Sequence, residues 1–579
     1  MKLAALSANF SEFHPILFND DLSVILAERS QGAADTESRN GLGKTTAVAL
    51  VDFCLGSNMG EHLRQMMGRD WTFKLDLVLP GGAEISASRS PDLPRDVVIS
   101  GDLARARVPD FDPSRGADHV VLGVRRWTSW LGEVTFYRGR GSEQGPSFRS
   151  LVKHFIRFRS DSFIDPFRPV ANQAAADVQL ENAFLLDLDW SLVNEWVSLK
   201  ERRNRLALAR SGDLDVSAQI ADLEAQCVRL DRRSERLQRN AAGFEILPEF
   251  REIENRVNSV SRALKVLSNA NVADRQLLQM YENQVNEERS NHEGWIAELF
   301  DQASVHLGDA VVRSLEEASA FRLEVERNRE AYLQAEIRRI RERTRARELE
   351  QDQLAARHAE DLRLLDSGGA LEDFSELQKS IAEAVTQLAE ARANLATLRD
   401  LSEREAQVKR DELDVAARTE LDLQERFSRR EPIIARFGEI MEALLGESAD
   451  IRVRRGKSGF MFDTKLPRTG SSGVNLMAIF AYDIALTETL QDEGHGLGFL
   501  IHDSLIFADV DERQTAIAID IAQRSAVDHG YQYVLTVNSD KVPWHEFGDQ
   551  EAFRRSIVLT LDDGSPSGSL LGLRLDASE

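Results

Sequence analysis

The chain has 579 residues, with 72 basic against 96 acidic side chains and a formal net charge of −24. That balance excludes a protein coated in nucleic-acid-binding basic surface but leaves local basic patches open. Two cysteines, Cys54 and Cys227, exclude a disulfide scaffold, and with no apolar run near ~18 residues and no charged-then-apolar leader, a cytoplasmic protein without a membrane span is expected.

Residues 2–6 and 22–27 read as two short strands around a polar loop that carries Phe10, Phe13 and His14. Residues 28–40 form a polar loop rich in small residues, and residues 44–55 are apolar enough for a buried helix, so the order is strand, glycine loop, helix. Residues 72–79 and 83–89 flank Pro80-Gly81-Gly82 as a hairpin. The composition then changes. Of 14 prolines only Pro248 lies between Ser191 and Arg430, and that stretch holds 6 of the 35 glycines, which is the composition of long helices with thin apolar seams.

Heptads appear in Ile220, Leu223, Cys227, Leu230, Ser234 and Leu237, in Ile253, Val257, Val260, Leu264 and Leu267, and in Ile381, Ala384, Leu388, Ala391, Leu395 and Leu398, alternating by three and four. Residues 241–250, with Gly243 and Pro248, break the outgoing helix, and residues 366–374, with Gly368-Gly369, break the returning one. A reversal near residues 306–308 puts both breaks at about the same distance from the tip, which favours an antiparallel hairpin with a joint. Arms of about 105 residues would reach on the order of 150 Å.

Globular patterns return after Arg430. Strands are expected at 451–455, 460–464 and 533–537, a helix at 474–490, a buried run at 497–502, and a closing hairpin of 557–561 with 570–575. The expected organisation is a head split into residues 1–190 and 431–579, with residues 191–430 forming the coiled-coil arm.

The sharpest local signal is Asn40-Gly41-Leu42-Gly43-Lys44-Thr45-Thr46 between strand and helix. A phosphate loop needs glycines so that successive N–H groups face the phosphates, a lysine for the β- and γ-phosphates and a hydroxyl for Mg²⁺. Ser38 stands where the first glycine of the usual pattern would be. Asp503, ending the buried run Phe499-Leu500-Ile501-His502, is the acidic partner that would hold Mg²⁺ through water, and Ser504 follows it where most ATPases of this build have a glutamate. Gly470-Ser471-Ser472-Gly473 opens a helix whose free N–H groups and dipole suit a γ-phosphate, and it also reads as a plain capped helix start.

A head split by a coiled-coil hairpin, carrying these motifs, resembles the SMC-like, RecN-like branch of the ABC ATPases: an α/β fold with a split ABC-type P-loop head and a long inserted antiparallel hairpin. Several strings resemble a narrower bacterial group known by a C-terminal domain of unknown function and linked to three-component ABC-ATPase systems of the defence type. They are Ile25-Leu26-Ala27, Asp52-Phe53-Cys54-Leu55-Gly56, Phe148-Arg149-Ser150-Leu151, Phe184-Leu185-Leu186-Asp187-Leu188-Asp189, Asn328-Arg329, His502-Asp503-Ser504 and Asp511-Glu512-Arg513-Gln514. The resemblance implies a homodimer in which Ser472 and Gly473 contact ATP held by the phosphate loop of a second head. Asp511 then lies in the loop crossing that interface, with Asp509 competing because the spacing from Asp503 is one residue longer than in typical relatives, and Asn538 takes the place of the usual switch histidine.

The implied activity is ATP hydrolysis with Mg²⁺, slow or partner-activated because of Ser504. Head closure would engage double-stranded DNA or gate a separate effector subunit, a nuclease or toxin, in bacterial defence against phage or plasmids or in genome maintenance. A nucleotide-gated scaffold with little hydrolysis is the competing reading. Two basic clusters are candidate DNA contacts. The arm cluster has Arg338, Arg339, Arg341, Arg343, Arg345 and Arg347, and reads otherwise as a solvated face. The head cluster has Arg149, Lys153, Arg157 and Arg159 interleaved with Phe148, Phe155 and Phe158, and reads otherwise as a buried amphipathic element. No Cys-x-x-Cys marks the arm tip, and His292, His306 and His358 have no ligand spacing.

Overall fold

The computed structural model describes residues 1–28, 42–137, 145–209, 215–243, 251–306, 309–365, 371–468 and 470–573. The chain opens with β1 (Lys2–Ala8), β2 (Ile16–Leu17) and β3 (Leu22–Glu28), followed by α1 (Lys44–Cys54) and α2 (Glu61–Arg64). Then come β4 (Phe73–Val78), β5 (Glu84–Ser90), β6 (Leu93–Gly101), α3 (Leu103–Ala106), β7 (His119–Gly123), α4 (Val124–Val134), α5 (Phe148–Leu151), β8 (Ile156–Arg157) and α6 (Ala175–Leu185). Long helices follow as α7 (Ser191–Ala209), α8 (Val216–Ala242), α9 (Arg251–His306), α10 (Asp309–Leu365), α11 (Leu371–Glu425) and α12 (Phe427–Leu445). The chain closes with β9 (Asp450–Gly456), β10 (Gly459–Lys465), α13 (Ser472–Asp492), β11 (Phe499–His502), α14 (Glu512–His529), β12 (Gln532–Asn538), α15 (Gln550–Arg555) and β13 (Ile557–Asp562). Two compact units result. One comprises Met1–Ser198, Gln302–Glu316 and Glu412–Glu579, and the other Leu199–Asp301 and Glu317–Asp411.

The first unit is a mixed α/β body with two main sheets. One has five strands in the order β13-β3-β12-β11-β8, all parallel. Its central strands are apolar on both faces, as parallel strands covered on both sides must be: every residue of β11 is buried, and so is all of β12 except its last residue. The other sheet is antiparallel, in the order β2-β1-β4-β5-β6-β7, and β4 and β5 alternate buried and half-exposed residues. Thus β1 and β3, expected around one turn, belong to different sheets. The α1 helix packs on β3 and β12 on one side and on β4 and β5 on the other. Its sequence is accordingly apolar nearly all round, with Ala47, Val48, Leu50, Val51, Phe53 and Cys54 buried. Burial pushes the Cys54 thiol up to about 12, so this cysteine is a packing residue.

The closing hairpin expected from the sequence does not form. β13 is a parallel edge strand on β3, and the chain beyond it makes a short 3₁₀ turn, Pro566–Gly568, before burying Leu570 and Leu571 without a strand. Residues 574 and 575 lie outside the described residues.

In the second unit, α9 and α10 run antiparallel, with partners falling on one helix as they rise on the other: Arg256 with Asp361, Arg275 with Glu348 at 3.1 Å and Arg341 with Glu282 at 2.7 Å. Residues 231 and 392, and 224 and 399, are paired in the same sense between α8 and α11. The heptad positions are the less exposed ones, with Ala384, Leu388, Ala391 and Leu395 buried. Where α8 gives way to α9 and α10 to α11, Val257 and Phe374 form a small core with Ala241, Ile253 and Leu362. The reversal at residues 307–308 and the connections at 244–250 and 366–370 lie outside the described residues.

One side chain ties β1 to the parallel sheet. The register of β1 with β4 shifts between Leu3 and Ala5, and the buried Gln532 of β12 satisfies the irregular main chain: its Oε1 accepts from Leu3 N at 2.7 Å, and its Nε2 donates to the carbonyls of Leu3 at 2.8 Å and Asn19 at 2.7 Å. We predict that Gln532→Leu, which leaves the buried amide and carbonyl of Leu3 and the part-buried carbonyl of Asn19 without this partner, destabilises the unit by about 3 kcal/mol. Hydrogen exchange should register this as roughly hundredfold faster exchange of the Leu3 amide; unchanged protection of β1 would refute it.

Candidate functional site

In an open parallel sheet the carboxyl ends of the strands share one edge, where loops and helix N-termini meet a ligand. Three neighbouring strands deliver side chains to that edge here. β3 leads to the glycine loop and α1, β12 ends at Asn538, and β11 is followed at once by Asp503. The parallel register aligns them, pairing Ala27 with Asn538 and His502 with Leu535.

Of the expected phosphate loop, Ser38, Arg39, Asn40 and Gly41 lie outside the described residues. Leu42 is buried, and Gly43 caps α1 with φ +100°, a conformation that disfavours any side chain. A Cβ at Gly43 would also stand 2.6 Å from Leu570 Cβ, and Leu570 N donates to Leu42 O at 3.0 Å. The segment after β13 therefore grips the exit of the loop. Lys44 is half-buried and its Nζ donates to Asn538 Oδ1. Thr45 Oγ1 is 3.5 Å from Asp503 Oδ2, which also accepts from Thr536 Oγ1 at 2.9 Å. Asp503 is 5% exposed; its other oxygen accepts from Leu505 N at 3.2 Å and Ser504 Oγ at 3.3 Å. Lys44, Thr45, Asp503, Ser504 and Asn538 thus come together. Thr46 follows on the same helix and makes no side-chain contact in this set.

Ser472 and Gly473 belong to a second cluster. Ser472 begins α13, whose N-cap residue, Ser471, makes no side-chain capping bond. Ser472 Oγ donates to Asp509 Oδ2 at 2.6 Å, and a Cβ on Gly473 would lie 2.5 Å from Asp509 O. Only glycine fits that approach of the 508–511 loop. Asp511 instead caps α14, accepting from Gln514 N at 2.9 Å. No hydrogen bond joins this cluster to the Lys44 set among the described residues.

Behind Asp503 lies a buried ionic network. Asp483, fully buried in α13, accepts from Arg157 Nη2 at 2.8 Å, and its other oxygen is 3.0 Å from His502 Nε2. His502 Nδ1 is 3.0 Å from the Tyr533 hydroxyl, so a neutral imidazole donating to Asp483 and accepting from Tyr533 completes the set. Arg157 also donates to the carbonyls of Ser162 at 2.7 Å and Pro166 at 2.6 Å. The signal for this network was an aspartate inside the apolar stretch 476–486 of α13, since a buried carboxylate needs a cation. Thr536, two residues before Asn538 in an apolar strand, was equally legible.

The head basic cluster is not a nucleic-acid surface. Arg157 is fully buried, as are Phe148 and Phe155. Arg149 Nη2 pairs with Asp52 at 2.6 Å, and burial lowers the pKa of Lys153. Arg159 pairs with Asp161 at 3.2 Å. The arm cluster is partly absorbed as well. Arg343 and Arg347 both bind Asp274, which holds that carboxyl below its usual range, while Arg341 pairs with Glu282 and Arg339 with Glu336. Arg338 and Arg345 are exposed and make no ion pair among the described residues. Asn328, Arg329 and His292 have side chains outside the described residues, and His358 bonds Ser261 at 3.0 Å.

Residues 440–575 match the model of DUF2326, an uncharacterised protein conserved in bacteria. No curated protein matches the chain. Among solved structures, the chain is similar to the Smc head domain with a coiled coil and joint from Pyrococcus yayanosii, at 13% identity over 97% of this chain and 94% of that one, with a TM-score of 0.36. A second similar structure is the Smc head domain with an extended coiled coil from Pyrococcus furiosus, bound to the C-terminal domain of ScpA, at 11% identity over 93% and 90% of the two chains, with a TM-score of 0.29. At these values the likeness fixes no activity. Among the described residues no helix is long and apolar enough to cross a membrane, and no cluster of three metal-ligating side chains occurs.

Burial holds the His502 imidazole below its ordinary value of about 6.5. An unfolded chain takes up that proton first as pH falls, so the contribution to stability is full above about 6.5 and is lost below it, with a slope of at most about 1.4 kcal/mol per pH unit. Urea titrations at pH 7 and pH 5.5 should show this acid loss in the parent and a shallower one in His502→Gln. Equal losses would mean that His502 is not the titrating group.

Proposed function

We propose that the split head is an SMC-like, RecN-like ATPase of the ABC type that binds ATP with Mg²⁺ at the Lys44 edge and dimerises head to head on the nucleotide. The observation that carries this reading is the convergence of Lys44, Thr45, Asp503 and Asn538 from three adjacent parallel strands onto one edge at the start of α1. A lysine at a helix N-terminus behind a glycine with positive φ suits a polyphosphate. Thr45 Oγ1 and Asp503 Oδ2 suit Mg²⁺, because a hydroxyl and one carboxylate leave the ion to keep water and phosphate oxygens. Bound there, Mg²⁺ would neutralise charge between the phosphates.

Ser472 and Gly473 are exposed or half-exposed at an uncapped helix start and have no part in the Lys44 set of their own head. This supports their use against the nucleotide of a second head. Asp509, already bonded to Ser472, then stands at that interface, and Asp511 serves α14 as its cap. Double-stranded DNA is the proposed polymer, with Arg338 and Arg345 as sequence-independent phosphate contacts, and a separate nuclease or toxin subunit is the proposed effector in bacterial defence or genome maintenance.

Two experiments test the reading. Sedimentation of the full chain should show doubling of mass with Mg-ATP. Lys44→Ala should lose ATP binding and doubling together, whereas Ser472→Arg should keep ATP binding and lose only the doubling. Equal mass with and without Mg-ATP in a hydrolysis-poor variant would sink the sandwich.

The second concerns turnover. A serine is a poor base where a carboxylate usually positions the attacking water, and Ser504 Oγ is turned toward Asp503; the deficit expected for a missing general base is about 10²–10⁴-fold. Single-turnover hydrolysis by the isolated chain should be slow, rise at least about tenfold in Ser504→Glu, and fall further in Asp509→Asn if the partner head supplies a carboxylate. Fast hydrolysis unaffected by either change would place the base elsewhere.

A further inference from the structure

Among the described residues the β9–β10 hairpin is a sheet of two strands, so β9 has β10 on one side and no strand on the other. Along that other side runs a groove of about 580 Å³, within the size range of binding clefts. Residues 451–455 of β9 line it without a gap. Side chains of a strand alternate between faces, so five consecutive lining residues mean that the groove follows the strand's edge, where alternate residues turn N–H and C=O away from β10. The opposite wall comes from the end of α11 and from α12, with Leu423, Phe427 and Ile434. Phe427 is 54% exposed, so its ring is open to a ligand along the groove.

Basic side chains predominate. Arg452, Arg454 and Arg455 flank the groove and Arg430 lies in its wall. Opposing them are Asp463, bonded to Arg454 at 2.8 Å across the ladder, Glu420, 3.7 Å from Arg455, and Asp422, whose charge acts on Arg430. Arg430 is the telling residue. It is 3% exposed, donates to Leu423 O through Nη2, and its Nε has no hydrogen-bond partner. Charged residues on a free edge can simply prevent aggregation, but an edge guard needs no buried guanidinium with an open donor. In a chain of net charge −24, this combination suits an anion that also carries apolar groups.

We infer that the outer edge of β9 is a docking site for an extended segment of a partner protein in which apolar and acidic residues alternate, added as a third strand. Its main chain pairs with β9, its apolar face lies on Leu423, Phe427 and Ile434, and its carboxylates meet Arg430, Arg452 and Arg454. A nucleic-acid duplex would use the arginines but leave the apolar wall and the strand edge idle.

The test uses the full chain and a fluorescein-labelled peptide of four Val-Glu repeats. The expected result is saturable binding, slowed amide exchange confined to residues 451–455 and the facing helices, and weakening of at least about tenfold by Arg452→Glu with Arg454→Glu. A Val-Lys peptide should not bind, and N-methylation of alternate residues of the Val-Glu peptide along its pairing edge should abolish binding. Arg430→Met should weaken binding too; the exposed double reversal keeps the test informative if that buried variant fails to fold. The proposal is overturned by no binding at about 1 mM peptide, by binding indifferent to the reversal or to N-methylation, by protection elsewhere, or by a DNA duplex that protects residues 451–455 where the peptide does not.

Discussion

The parallel pairing of β3 with β12 is the constraint on which the rest depends. It joins residues 22–27 to residues 533–538, and without it neither the glycine loop nor Asp503 has a place. Closing so long a loop from a flexible chain costs about 5 kcal/mol in chain entropy, rising slowly with length. The intervening chain is tied locally: among the described residues α8 pairs with α11 and α9 with α10, and Glu195 is already bound to Arg418 within the globular unit. Local helix pairing thus shortens the effective loop, which explains how this edge can be assembled from the two ends of a 579-residue chain.

The second layer of that edge is ionic, and its energetics are asymmetric. Asp483, Arg157 and His502 are fully buried, and removing one member of such a set leaves an uncompensated charge worth about 3–5 kcal/mol. The network spans α13, β8, β11 and, through Tyr533, β12. It therefore fixes the end of β11 from both neighbouring strands, immediately before Asp503. The direction of Asp503 toward Thr45 is set by groups that never reach the edge themselves.

What was legible in the sequence follows from the range of the interaction. The strand before the glycine loop, the helix that starts at Lys44, the buried run before Asp503 and the heptads of the arm are local patterns, and each appears as an element with those residues inside it. The β4–β5 hairpin was readable because Pro80-Gly81-Gly82 dictates its turn. Sheet membership was not, since β1 and β3 are both apolar strands and only their partners, Leu75 and Val537 among them, separate them. The closing hairpin failed for a related reason: β13 finds its partner at β3, over 500 residues away, and Leu570 is spent on Gly43. Arg157 was misread as a surface cation because its partner, Asp483, lies 326 residues away, inside the apolar stretch 476–486 of α13. Asp509 and Asp511 were indistinguishable by spacing; only the capping bond to Gln514 and the contact with Ser472 separate their roles.

The chemistry of Asn538 completes the physical account of the edge. Its amide oxygen holds the Lys44 ammonium by a charge–dipole contact, which is weaker than the ion pair an aspartate would make there and free of the repulsion a protonated histidine would bring. On the proposed reading, a polyphosphate entering at the N-terminus of α1 offers that ammonium full negative charges and outcompetes a neutral amide. Asn538 is then released at the end of β12, beside the short turn Ser539–Lys541. An aspartate at this position would bind the lysine more tightly and oppose the incoming phosphates, raising the cost of nucleotide entry. A neutral acceptor keeps the lysine ordered yet exchangeable, and on the proposed reading couples its capture by phosphate to β12, the strand that pairs with β3.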